Sequence, residues 1–136
     1  MDVIASSANK KIKLVASLKQ KKHRDAERLF IAEGIRLAEA AVEANWPCRF
    51  GLCTGTAAKN ERVQMFLQQL EARQCPVYEV PEDIYNKISD TQQPQGVLLV
   101  LENGSSSLSS VISGAGASFI LVLDQLQDPG NVGTII

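Results

Sequence analysis

The chain has 136 residues, 45% of them apolar and 21% charged, the balance of a globular domain with one modest core rather than of a disordered segment. No apolar run approaches the ~20 residues of a membrane helix, and MDVIASSANKKIK lacks the basic start, apolar middle and cleavage site of a secretory leader. A cytoplasmic address without a membrane is therefore expected. The formal charge of −1 conceals an asymmetry: residues 1–30 hold eight Lys/Arg against three acids, while the remainder holds six against twelve. A basic end on a mildly acidic body points to a polyanion partner.

In chain order, SSANKKIKLVASLKQKKHRD reads as one helix capped by Ser6 or Ser7. Ile12, Val15, Ala16 and Leu18 form its apolar side, and Lys10, Lys13, Ser17, Lys21 and Arg24 follow three-to-four spacing on the other. RLFIAE is a strand, and Gly34 opens a second helix, GIRLAEAAVEANW, ending near Pro47. CRFGLC is a short strand. NERVQMFLQQLEARQ is a third helix, because Val63, Phe66, Leu67 and Leu70 recur at i, i+3, i+4 and i+7. PVYEV is a strand, and PEDIYNKIS is a short helix with Pro81 in its first turn and acids at its positive end. GVLLVLE, from Gly96, is an unbroken apolar strand of the kind buried on both faces.

This alternation over residues 9–102 predicts an α/β fold, a three-layer α/β/α sandwich. NGSSSLSSVISGAGAS is a Gly/Ser-rich linker with one helical turn at Leu108–Ile112. GAGASF is not a dinucleotide loop: its glycines precede the strand and the third is missing. FILVLD then starts a new unit as a strand. The expected organisation is a domain at 1–103, a linker at 104–117 and the opening of a second domain at 118–136.

The cysteines offer no metal site. Cys48, Cys53 and Cys75 show no CxxC spacing, and His23 is the single histidine. Cys48 and Cys53, five apart on one strand, are expected to face opposite sides and so cannot bridge. Reduced, structural thiols are the expectation. His23, within KKHRD, reads as a solvated or RNA-facing imidazole.

Three stretches could carry chemistry. In DPGN, Asp128–Asn131, proline and glycine suit the middle of a type II turn, and Asn131 suits an N-cap for VGTII. A buried strand, a turn and a helix N-terminus is also where open α/β sheets place ligands, and Gly133 would let a backbone or nucleotide approach closely. The basic helix supplies the lysines and arginines that phosphate contacts need, with no aromatic residue interleaved for base stacking. DTQQPQG offers Thr91, Gln92, Gln93 and Gln95 as uncharged hydrogen-bonding groups beside the last strand.

Together these stretches resemble the SpoU (TrmH) branch of the SPOUT RNA methyltransferases. The resemblance rests on SSANKKIKLVASLKQKKHRDAERLFIAEGIRL, with its F-x-x-E-G-x-R run at Phe30, Glu33, Gly34 and Arg36, on ISDTQQPQGVLLV, and on LDQLQDPGNVGTII. It implies a substrate-binding domain like a ribosomal-protein α/β sandwich, followed by the severed first strand, turn and helix of a knotted catalytic domain. It also implies ribose 2′-O-methylation of ribosomal or transfer RNA, S-adenosylmethionine as donor, and a homodimer for the whole enzyme. Asn131 matches the family's motif asparagine near the reacting ribose and is the catalytic candidate. Lys10, Lys13, Lys21, Arg24 and Arg36 are the candidates for structured RNA. No residue of the chain is assigned to the donor, because the family's arginine and two later motifs are not in this sequence. Two other readings stay open: a non-catalytic RNA-binding module, and a protein-interaction domain without RNA.

Overall fold

The computed structural model describes residues 1–104, 109, 121–125 and 127–135. Two compact units are present, Met1–Gly104 and Ser105–Ile136. The first contains a five-stranded sheet of β1 (Asp2–Val3), β2 (Leu29–Glu33), β3 (Cys48–Thr54), β4 (Val77–Val80) and β5 (Val97–Glu102), in the spatial order β1-β4-β3-β5-β2. Strands β1, β4 and β3 run parallel, whereas β5 is antiparallel to both of its neighbours, β3 and β2. The connecting helices are α1 (Lys10–Ser17), α2 (Lys21–Glu27), α3 (Ile35–Glu43), α4 (Glu61–Ala72) and α5 (Glu82–Ile88), with a 3-10 turn at Ala57–Lys59. The fold is mixed α/β. Strand β1 carries no pattern long enough to read from sequence.

The pleat of β5 divides the core. Leu98 and Val100 join one apolar cluster with Ile12, Val15 and Leu18 of the α1 region and Ile84, Tyr85 and Ile88 of α5. Val97, Leu99 and Leu101 join a second with Ala38, Ala41 and Val42 of α3 and Val63, Phe66 and Leu70 of α4. GVLLVLE is thus buried on both faces although its neighbours are antiparallel, because helical side chains cover the sheet on each side.

Strand β3 departs from simple alternation. Cys48 is opposite Leu101 and Phe50 opposite Val100, so Arg49 is an extra residue in the ladder. The bulge resets the phase: Cys48 and Cys53 both reach the α3/α4 cluster instead of opposite faces. Arg49 itself points outward and pairs with Glu102 at 3.2 Å. All three cysteines are free thiols, Cys53 and Cys75 buried and Cys48 half-buried.

The single basic helix expected from the sequence is two helices. Asn9, rather than Ser6 or Ser7, caps α1, its side-chain oxygen accepting the Lys11 amide at 2.8 Å. Ala16 is exposed and Leu14 is packed against the core in its place. After Leu18 the chain turns, and Arg24 of α2 folds back to donate to the carbonyls of Leu18 (3.0 Å) and Lys19 (2.7 Å). Carbonyls at a helix C-terminus lack intrahelical donors, and Arg24 supplies one.

In the second unit, α6 spans Pro129–Ile135. DPGN is not a type II turn: Pro129 and Gly130 already belong to the helix, a position that suits proline's fixed φ and missing N–H. Asp128, not Asn131, takes the capping role, its carboxylate accepting the Gly130 amide at 2.9 Å. Leu121–Asp124 form no strand, and Leu121, Val122 and Leu123 are exposed. Phe119, Ile120, the helical turn expected at Leu108–Ile112 apart from Ser109, the GAGASF stretch and most of the expected linker lie outside the described residues. No described helix is long and apolar enough to cross a membrane.

Two glycines are dictated by backbone geometry. Gly34 has φ +92° and Gly96 has φ +72°. A Cβ at Gly96 would also overlap Thr54 Oγ1 and come within 2.9 Å of the Ala57 Cβ. Gly96→Ala should therefore lower the unfolding free energy by about 2 kcal/mol or more in urea titration, the sum of left-handed strain and overlap. Arg24→Gln should cost about 1–3 kcal/mol by exposing half-buried carbonyls, whereas Lys21→Gln, on the solvent side of the same helix, should change stability by less than about 0.5 kcal/mol.

Candidate nucleic-acid interface

The pairing of β2 with β5 brings two distant stretches of sequence together. Glu33 lies opposite Leu98, and the Gly34 amide donates to the Val97 carbonyl at 2.9 Å. The F-x-x-E-G-x-R run and the loop preceding β5 consequently meet at one end of the sheet. The Glu33 carboxylate accepts from the Ser89 hydroxyl, from the Asp90 amide at 3.1 Å and from the Thr91 hydroxyl at 3.1 Å. One acidic side chain thereby fixes the start of the loop that joins α5 to β5.

Gln95 fixes the other end. Its side-chain oxygen accepts the Ile35 amide at 3.1 Å, serving a donor left open at the start of α3. Any other residue at position 34 would be crowded there, its Cβ 3.0 Å from that oxygen. Between these anchors lies an open pocket of about 250 Å³, lined by Glu33, Gly34, Arg36, Leu37, Thr91, Gln93 and Gln95. Arg36 is exposed, so the pocket presents one cation beside several amide and hydroxyl groups.

Lys19 links this loop to the basic helices. Its ammonium donates to the Ser89 carbonyl at 2.9 Å and pairs with Asp90 at 3.0 Å. The turn between α1 and α2 is thus tied to the loop that Glu33 orders. Of the candidates read from sequence, Lys10 and Lys13 are exposed on α1 and make no ion pair among the described residues. Lys21 is exposed and pairs with Asp25 at 2.9 Å, one helical turn on. Arg24 is partly buried and serves the α1 carbonyls. Lys11 stacks its ammonium over the Tyr78 ring at 4.6 Å, so it belongs to the edge of the core. His23 is half-buried.

Sequence reasoning missed Lys19 and Glu33 as organisers. The signal for Glu33 was present: an acid before a glycine at a strand end, with Ser, Asp and Thr available elsewhere. Its partners, 56–58 residues away, were not visible.

Titration chemistry at this end is restrained. Burial first, and then the nearby Glu33 charge, pushes the Tyr85 phenol above its ordinary value, and it stays a neutral hydroxyl. That hydroxyl feels Glu33 without making a well-formed hydrogen bond among the described residues. Burial, then Glu79 and Glu82, raise the Cys53 thiol to about 11, which excludes it as a nucleophile at neutral pH. The Cys75 thiol, then burial, push Cys48 up as well. No cluster of described residues is suited to a metal ion. What this surface offers is hydrogen-bonding groups and charge.

Asn131 lies in the second unit, exposed on α6, and the space around Gly133 is open.

Residues 9–99 match the family model of the MRM3-like substrate binding domain. Over 137 aligned residues the chain is 31% identical to the 23S rRNA (guanosine-2′-O)-methyltransferase RlmP of Bacillus subtilis (strain 168), covering all of this chain and 49% of that protein. The rRNA methyltransferase of Sinorhizobium meliloti superposes with TM-score 0.65 at 30% identity, covering 77% of this chain and 38% of that one. The AdoMet-bound rRNA methyltransferase of the same organism gives TM-score 0.64 at 30% identity and the same coverage. The chain spans about half the length of the curated relatives it matches. The motifs at both ends of β2 and β5, the mixed sheet they build and the match over residues 9–99 agree: this chain belongs to the MRM3-like substrate-binding domain family of the SpoU (TrmH) methyltransferases.

Proposed function

We propose that this chain is the RNA-gripping portion of a ribosomal RNA ribose 2′-O-methyltransferase. The observation that carries the reading is the match of residues 9–99 to a substrate-binding domain. The chemistry of the surface supports it: exposed Lys10, Lys13, Lys21 and Arg36, with Arg24 adding fixed charge behind them, suit a phosphate backbone, and the loop amides suit ribose and base edges. Ribosomal rather than transfer RNA is favoured because the Bacillus subtilis relative acts on 23S rRNA. The helices on either face of the sheet support a three-layer α/β/α sandwich for this domain.

The whole enzyme, on this reading, takes its methyl group from S-adenosylmethionine, which presents an electrophilic methyl to the ribose hydroxyl. The AdoMet-bound relative supports that donor. A ribose hydroxyl is a weak nucleophile and needs orientation and removal of its proton. Asn131 can orient a sugar hydroxyl by hydrogen bonding, but an amide cannot accept the proton. The segment that leads through DPGN into α6 is read as the opening of the knotted catalytic domain, and the whole enzyme as a homodimer working in the cytoplasm. This domain contributes by holding the RNA at the register the catalytic domain requires.

Binding to structured RNA, followed by anisotropy, should weaken linearly in log–log plots against salt, with a slope of about −0.7 to −0.9 per phosphate contacted. Reversing Lys10 and Lys13 to Glu should flatten that slope by roughly one per residue, with the melting temperature nearly unchanged. Binding that is undetectable or indifferent to salt would overturn the assignment. The 136-residue chain should transfer no labelled methyl group to RNA; transfer by the purified chain would show that it holds a donor site after all.

A further inference from the structure

The basic helices α1 and α2 hold no aromatic residue, yet the fold supplies them with two. A pocket of about 350 Å³ is lined by Lys21, Arg24 and Asp25 of α2, by Phe30 of β2, and by Trp46 and Asn103. Trp46 follows α3, and its ring meets Phe30 edge to face, with centroids 5.6 Å apart and planes at 87°. Its indole N–H donates to the Glu102 carbonyl at 2.7 Å, and its backbone amide donates to the Ala41 carbonyl at 2.9 Å. The ring is therefore oriented from two directions and has its polar group satisfied by the protein. It nonetheless remains 45% exposed.

We infer that this pocket receives one unpaired RNA base, stacked on Trp46, with its phosphate held by Lys21. The inference rests on the RNA reading above and adds a site to it. An aromatic ring held rigid and half open is a stacking platform for any base, since every base has a π face. Arg24 is fixed by the Leu18 and Lys19 carbonyls, so its charge stays in the wall without ordering cost. Lys21 is exposed, and its ion pair with Asp25 is a surface pair that a phosphate can displace. Asn103 offers an amide with both donor and acceptor to a base edge. An apolar or proline-rich peptide would use the rings and leave the charge of the wall unused; a nucleotide uses both. The pocket thus reads single-stranded or bulged RNA, complementing phosphate contacts that carry no sequence information.

Trp46 is the only tryptophan of the chain and reports on its own pocket. A mixed-sequence single-stranded ribo-oligonucleotide should quench its fluorescence on binding, and an abasic oligonucleotide of equal length should not. Trp46→Ala should weaken binding of the base-bearing oligonucleotide by about tenfold, the loss of one stacked base, while Trp46→Phe retains most of the affinity. Asp25→Asn, which removes the competitor for Lys21, should tighten it. Where Trp46→Ala fails to fold, the contrast between base-bearing and abasic quenching in the unaltered chain decides alone. RNA that binds with unchanged Trp46 emission, or equal quenching by both oligonucleotides, overturns the stacking site and leaves the RNA reading standing. Absence of binding to any RNA overturns both.

Discussion

Strand β5 is apolar on both pleat faces, and neither face can be left to water. Its five leading residues, Val97–Leu101, are each at most 2% exposed, and burying each side chain of this size contributes about 1.5–3 kcal/mol relative to exposure. Helices must cover both sides of the strand, and strands must flank both of its edges. α1 and α5 meet the first demand on one face, α3 and α4 on the other, while β2 and β3 meet the second. The pairing with β2 then carries Glu33 and Gly34 to the start of β5, so the polar loop is placed by an apolar requirement.

Once placed, the loop is ordered by a small number of polar contacts. Glu33 gathers three donors near Ser89, Lys19 holds the Ser89 carbonyl and Asp90, and Gln95 closes the opposite end on the α3 N-terminus. Glu33 settles two hydroxyls and a backbone amide at once, while Lys19 serves one carbonyl and Gln95 one amide. The loop can therefore present Thr91 and Gln93 beside Arg36 in a defined geometry, which lowers the ordering cost of a binding surface.

Much of this was legible in the residues. The periodicity of α4 and the runs of β3 and β5 gave their places to within a residue or two, because each buries a full face. The basic helix reads as continuous because the three-to-four spacing of Lys10, Lys13, Ser17, Lys21 and Arg24 runs straight across the turn after Leu18; the break depends on Arg24 turning back to α1, a contact that no periodicity encodes. At DPGN proline suits a first helical position as well as a turn, and Asp128 takes the cap. Leu121–Asp124 have strand composition, but a strand exists only with a partner. The aromatic wall was invisible because Trp46 joins Lys21 and Arg24 only through the fold. The stretches that carried the family resemblance are those whose residues have steric or hydrogen-bonding reasons to be there: Glu33, Gly34 and Gly96.

The extra residue in β3 has a consequence for how the domain can vary. Because Arg49 lies between two correctly seated stretches, Cys48 on one side and Phe50 onward on the other, it works as a phase shifter. Removing it would not merely shorten the strand; it would invert everything upstream, driving the Cys48 thiol away from its Cys75 neighbour and toward the opposite layer. The chain could tolerate such a deletion only if the segment leading from Trp46 and Pro47 rotated in compensation. Length at position 49 and the seating of the indole are therefore mechanically geared, and natural variation at one should be matched by repacking at the other.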